Sequence, residues 1–508
     1  MVIANSNKHI APYWGKEPSL VAGLNQLGIR NVSEQLFTIL SPGLNNVSLR
    51  IRYYSFYCWI IKMFYEGKQT VIDKEFNPFI RKAELLVALI NATLEERSGI
   101  PGINFAAAKV DSGDDTFSLK DGADIGKDKR TYWANSGGVL RQYYVASLEE
   151  MGLIGQNEKY PSIYNITKMD GHINGLVLAD EFAKSIGETG KLFLDIINRG
   201  YVTLEELRYL RTSFRMKYLN IKNTERAVLQ RMLLQKDNPL RPESASHRCE
   251  TIKNILEYLL RFECQLKATG FSKYMYDTYQ GTENLTSWGW YAYYLDNNWQ
   301  YQFTQIFHDI LAALKTAGSP WIAVDEVSDI LVGKVIQDFG IDSRMPVKDF
   351  VNTLNEKQRE CSTAEAIRSL LIHYRNNLPV VPVSEKQYQK LRISSENFCE
   401  FMKLVDGSLD VTISDFVKKL IEDIIYRHYR ISFRKMLQTQ KATQKFAFEN
   451  GCLRFIDNWD ATHTSPRIET IRNFLIDLSI IEIKDGIDTL TETGLNLLND
   501  LKNGNTAA

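Results

Sequence analysis

The chain has 508 residues, 44% hydrophobic and 24% charged, and its 61 lysines and arginines balance 61 aspartates and glutamates. That length suits roughly three domains with ordinary packed cores, and the composition excludes wholesale disorder. Zero net charge excludes a uniformly basic nucleic-acid coat, so any polyanion contact must come from a local patch.

The opening MVIANSNKHIAPYWG has neither an apolar core nor an amphipathic Arg/Ser pattern, so no targeting segment is expected. No stretch is long and apolar enough to predict a membrane span. Ser41-Pro42-Gly43 predicts a turn, followed by a helix from Asn45 or Asn46. Ile51, Tyr53, Tyr54, Phe56, Tyr57, Trp59 and Ile60 cover every face of that helix, which predicts burial. Arg50 and Arg52 then need partners, either a ligand phosphate or carboxylate or the protein's own acids.

Asn77-Pro78 predicts a helix start, with Gly99 beyond its end. The polar stretch 110–130 reads as a boundary. Residues 137–187 read as helix, hairpin, helix. Arg141 and Gln142 start the first helix, with Lys127, Lys129 and Arg130 just upstream. A turn region at 155–161 leads to a return strand at 164–167 and a helix carrying Leu178, Phe182 and Ile186.

Thr203 to Glu206 and Ser362 to Glu365 have capping-box spacing. Segments 236–247 and 377–394 read as further boundaries. The aromatic run 288–303 offers rings for base stacking, but Trp288, Tyr291, Leu295 and Trp299 fall at helical spacing, which favours core. Residues 412–437 carry one apolar stripe, from Ile413 and Phe416 to Ile424 and Ile425. Asn450-Gly451 predicts a tight hairpin turn between strands 445–448 and 453–456. Residues 466–501 repeat the helix–hairpin–helix order: strand 480–483, a turn at Asp485-Gly486, strand 488–491, and a last helix holding Leu495, Leu498 and Leu501.

These elements predict a mainly α, multi-domain helical protein with two winged-helix-like units and a small β-hairpin. All other strand content is assigned to the two wings. The expected segments are an N-terminal helical domain (1–110), a winged-helix-like unit (111–200), a central helical domain (201–380), and a basic helix, hairpin and C-terminal winged-helix-like unit (381–508). A winged helix docks on DNA or on protein and seldom does chemistry. Six scattered cysteines (Cys58, Cys249, Cys264, Cys361, Cys399, Cys452), with no CxxC pair, read as reduced thiols of a cytoplasmic protein.

The strongest electrostatic feature is 427–454, where Arg427, Arg430, Arg434, Lys435, Lys441, Lys445 and Arg454 face Glu449 as the only acid. Phosphates bound there would release counterions, making binding salt-sensitive. A solvated basic face or a dock for an acidic partner is the plain alternative. The C-terminal helix, with Arg467, Glu469, Thr470, Arg472, Asn473 and Asp477, mixes signs and suits protein docking at least as well as base reading.

Catalytic patterns are weak. Metal-paired histidines and a phosphate-binding loop are missing from the sequence, and Glu482-Ile-Lys484 mimics a nuclease E-x-K on a strand. Neither a cofactor nor a metal is expected. Arg368 and His373 have the R-x4-H spacing of HEPN-type ribonucleases, in which the arginine stabilises charge and the histidine moves a proton. Ser369 departs from the usual polar amide or acid after the arginine.

The stretch SPGLNNVSLRIRYYSFYCWI at 41–60 resembles a motif of uncharacterised helical proteins encoded in bacterial phage-defence islands: a Pro-Gly turn, Arg-x-Arg-Tyr, then an aromatic run ending in tryptophan. Residues 426–454 are similar to a second element of such proteins, a basic helix followed by a hairpin. The resemblance implies a bacterial origin and a defence setting but assigns no activity. The expected function is a non-catalytic adaptor or nucleic-acid-sensing subunit of an antiphage system, binding DNA or another nucleic acid, or a partner ATPase or nuclease. A kleisin-like bridge to an SMC-type ATPase and a HEPN-like ribonuclease stand as alternatives.

Overall fold

A computed structural model describes residues 25–66, 73–125, 131–217, 224–236, 242–282, 284–355, 362–393, 396–439 and 441–503. Lys127, Lys129, Arg130 and Cys361, singled out above, lie outside the described residues. The fold is mainly helical, and its strands form short antiparallel sheets. No helix among the described residues is long and apolar enough to cross a membrane.

The chain divides into two compact units built from interleaved segments. The larger takes Gln35–Ala292 and the described residues from Ser465 onward, and the smaller takes the described residues up to Glu34 together with Tyr293–Thr464.

The centre of the larger unit is the helix Arg52–Tyr65, buried on every side from Arg52 to Ile61. It packs along Gly175–Ile186 and against Asp73–Ala92 and Thr224–Leu234. Trp59 touches Phe182, Phe193 and Phe214, and the last two stack at 4.2 Å. Each such ring pair contributes about 0.5–1.5 kcal/mol beyond its buried area.

The helix starts at Arg52, later than expected, because the Asn45 side chain accepts from the Val47 and Ser48 amides and the Ser48 hydroxyl, closing a turn of its own. Arg50 and Arg52 both find protein acids. Arg50 pairs with Asp477 at 3.0 Å, and Arg52 grips Glu225 through Nε and Nη2 while donating to the carbonyls of Ser213 and Arg215.

The helix expected at 77–99 runs instead over Asp73–Ala92, with Pro78 inside it. So near the start, proline removes one hydrogen bond, to the Lys74 carbonyl. The helix ends early because the Asn91 amide donates to Phe214 O while its carbonyl oxygen accepts from Met216 N. Gly99 serves the turn beneath Arg50.

The two helix–hairpin–helix units fold with matching hydrogen bonds. In the first, Leu140–Glu150, strands Ile154–Gln156 and Tyr164–Ile166, and helix Gly175–Ile186 follow in order; in the second, Ile468–Asp477, Ile481–Lys484, Ile487–Leu490 and Glu492–Lys502. Leu153 N donates to Leu148 O, as Ile480 N does to Leu475 O. Thr167 donates through its amide and hydroxyl to Leu153 O, as Thr491 does to Ile480 O. Gly152 and Ser479 hold the same left-handed turn, at φ 71° and 55°. A Cβ on Gly175 would lie 2.1 Å from Leu153 O, and one on Gly494 would lie 2.2 Å from Ile480 O. Both closing helices therefore need glycine to approach the strand. Leu498 and Leu501 are buried as expected, but Leu495 is exposed and Leu497 takes the core position.

Short strands also occur outside the wings. Thr116–Ser118 pairs with Tyr201–Thr203, and Ile322–Ala323 adds to the hairpin Phe446–Glu449 and Cys452–Phe455. Two or three residues are too few to show a period-two signal. Thr203 does form the capping box with Glu206, and Ser362 caps its helix by accepting from Glu365 N.

In the smaller unit, helix Ile413–Thr439 buries the whole predicted stripe. The hairpin turns at Asn450 and Gly451, φ 50° and 76°, and lays Phe446 on His428 and Phe307. His428 is fully buried. Lys445 N–H can only donate, so Nε2 accepts it and Nδ1–H is left to donate to Gln26 O. Burial lowers the His428 pKa to about 3, so the ring is neutral. Leu295 and Trp299 here, like Trp288 and Tyr291 in the larger unit, are buried, as their spacing implied.

Candidate nucleic-acid interface

The basic stretch divides into bound and open cations once folded. Arg427 forms a two-pronged pair with Glu396 at 2.6 and 2.8 Å and reaches Asp423 at 3.3 Å. Burial opposes its charge, but those two carboxylates more than compensate and raise its pKa. Lys445 is buried, with Nζ 2.6 Å from Asp457. Its ammonium holds the Asp457 carboxyl below the usual range. Lys435 is half-buried and donates to Asn25 O, and burial lowers its pKa. These three cations hold the fold together.

Arg430 and Arg434 point outward from the same helix, with Arg430 64% exposed and only 3.8 Å from Asp423 as its nearest acid pair. Lys441 is exposed beyond the helix end, and Arg454 is exposed on the hairpin with its guanidinium 5.3 Å from the Trp321 ring.

Between these cations lie aromatic rings that charge counting missed. Tyr426, Tyr429 and Phe433 recur at three- and four-residue steps on helix Ile413–Thr439, hence on one face. Phe448 leans onto them from the hairpin, 5.8 Å from Tyr426 and 4.9 Å from Tyr429. Tyr429 lies nearly parallel to Phe433, with centroids 6.2 Å apart. Tyr426 and Phe433 are each 42% exposed, and Leu437 follows at 68%. The signal was legible in YRHYRISFRK, where a row of rings runs beside the outward cations Arg430 and Arg434.

The cations of the C-terminal helix are held internally. Arg467 donates to Ser41 O and Thr38 Oγ1, and Arg472 grips the buried Asp488 at 2.6 and 2.8 Å. Helix Ile468–Asp477 is buried along most of its length, so it offers little surface to a groove. In the first unit, Arg141 and Gln142 are exposed, and Gln142 accepts from the Trp133 indole N–H. Glu482 and Lys484 pair with each other on the exposed hairpin at 2.7 Å.

Arg368 is buried against Glu365 and the Phe339 ring, whereas His373 lies edge-on to Tyr294. Five residues apart on helix Thr363–Asn377, they point about 140° from each other. Among the described residues, no group of three or more His, Cys, Asp or Glu is placed to hold a metal. Two surface clefts of about 540 and 370 Å³ occur in the larger unit, and each is lined by both lysine and acid, Lys74 and Glu75 in one and Lys109 and Asp114 in the other. Comparison with protein-family models, curated proteins and solved structures returned no match to this chain.

Proposed function

We propose that this protein is a non-catalytic subunit that binds nucleic acid through the exposed face of helix Ile413–Thr439 and the adjoining hairpin. The observation that carries this reading is the outward pair Arg430 and Arg434, left in solvent while their neighbours Arg427 and Lys435 on the same helix are taken up by the fold. The two helix–hairpin–helix units are read as winged-helix-like scaffold. A bacterial antiphage setting, beside an ATPase or nuclease, is proposed from the motif at 41–60.

Binding of the full chain to fluorescent DNA across a salt series tests the reading. With Arg430, Arg434 and Lys441 as the phosphate contacts, log K should fall against log salt with a slope near −2, at about 0.7 per single-strand phosphate contact. Arg430→Glu with Arg434→Glu should abolish most of that slope. Affinity flat with ionic strength, or unchanged in the double variant, overturns the proposal.

A further inference from the structure

We infer that this face takes unpaired, single-stranded nucleic acid, with bases stacked on the row formed by Tyr426, Phe448, Tyr429 and Phe433 and the backbone held by Arg430 and Arg434. The inference rests on the phosphate-binding reading above and adds what the ligand must present.

The hairpin builds the row. Strand alternation points Phe446 and Phe448 to the same side, toward the helix, where Phe446 reaches the buried His428 and Phe448 stops at the rim beside Tyr426 and Tyr429. The rings are thereby fixed before any ligand arrives, and those at the two helical ends keep open surface.

Duplex DNA hides the faces of its bases and presents phosphates and groove edges, so it has no use for exposed aromatic rings. An unpaired strand offers a π-face at every base, and a row of rings edged by Arg430 and Arg434 matches a line of bases beside its phosphates. A second protein would also cover apolar rings, but outward guanidinium groups along their edge favour a polyanionic occupant.

Four ligands distinguish the outcomes in an anisotropy assay with the full chain: oligo(dT), oligo(U), a duplex of equal length, and an abasic deoxyribose-phosphate oligomer. The unpaired strand, DNA or RNA, should bind more tightly than both the duplex and the abasic oligomer. Tyr426→Ala or Phe433→Ala should each cost about five- to a hundredfold for the unpaired strand and leave the abasic oligomer unchanged. Phe433→Tyr should restore binding. Both rings are partly exposed, and unaltered thermal melting of the alanine variants confirms that they fold.

Equal affinity for all four ligands, lost only in the Arg430/Arg434 variant, leaves phosphate binding standing and overturns stacking. Binding to none of them overturns both readings. Loss of self-association in Phe433→Ala, with nucleic-acid affinity untouched, assigns the row to a second copy of the chain and likewise overturns stacking.

Discussion

Replacing Asp296 with asparagine should change how the smaller unit responds to pH. Asp296 is fully buried, accepting from Phe398 N at 2.8 Å and from the Tyr388 hydroxyl. Burial pushes its pKa from 3.8 up to about 7, although the two hydrogen bonds pull the other way. The folded state therefore holds a proton that the unfolded chain releases, and stability falls as pH rises from about 4 to about 7. At about 1.4 kcal/mol per pH unit, the cost reaches about 4 kcal/mol at most.

His428, in the same unit, acts in the opposite sense. Its folded pKa of about 3 lies below the ordinary 6.5, so the unfolded chain binds the proton more readily. Its contribution is lost as pH falls through that window and returns as pH rises, by about 5 kcal/mol at most. The two slopes nearly cancel in the native protein.

Asparagine mimics the neutral acid, since the Tyr388 hydroxyl can turn to accept from its N–H. Asp296→Asn should therefore unmask the histidine slope, with urea-unfolding midpoints climbing between pH 4 and 7 while those of the native chain stay nearly level. The variant should also be the more stable of the two at pH 8. Parallel profiles for the two proteins, or a variant less stable at pH 8, would refute this assignment of the buried charge.

Further substitutions test the larger unit. Gly175→Ala and Gly494→Ala should each destabilise by about 1–3 kcal/mol in thermal melting, because the new methyl meets a backbone carbonyl that cannot swing aside; unchanged melting refutes the close approach. Glu225→Gln should cost about 3–5 kcal/mol by leaving Arg52 unpaired in the core. Adding Arg52→Met to that variant should recover part of the loss, and purely additive costs would show that the pair is not coupled.

Periodicity and local turn chemistry carried much of the architecture. The stripe from Ile413 to Ile425 and the spacing of Trp288 and Trp299 identify buried faces, because three- and four-residue steps place side chains on one side of a helix. Asn450-Gly451 and Asp485-Gly486 mark hairpins, because their backbone must take positive φ. The capping box at Thr203 is equally local.

What depended on distant partners was invisible along the chain. The helix after Gly43 starts late because Asn45 closes a competing turn, and the helix at Asp73 stops early because Asn91 bonds to residues far away in sequence. The candidate site shows the same division. Composition marked 427–454 as basic, but only folding brings Glu396 to Arg427 and Asp457 to Lys445 and leaves Arg430 and Arg434 in solvent. Charge adds up along a sequence, whereas exposure follows from which surfaces pack together.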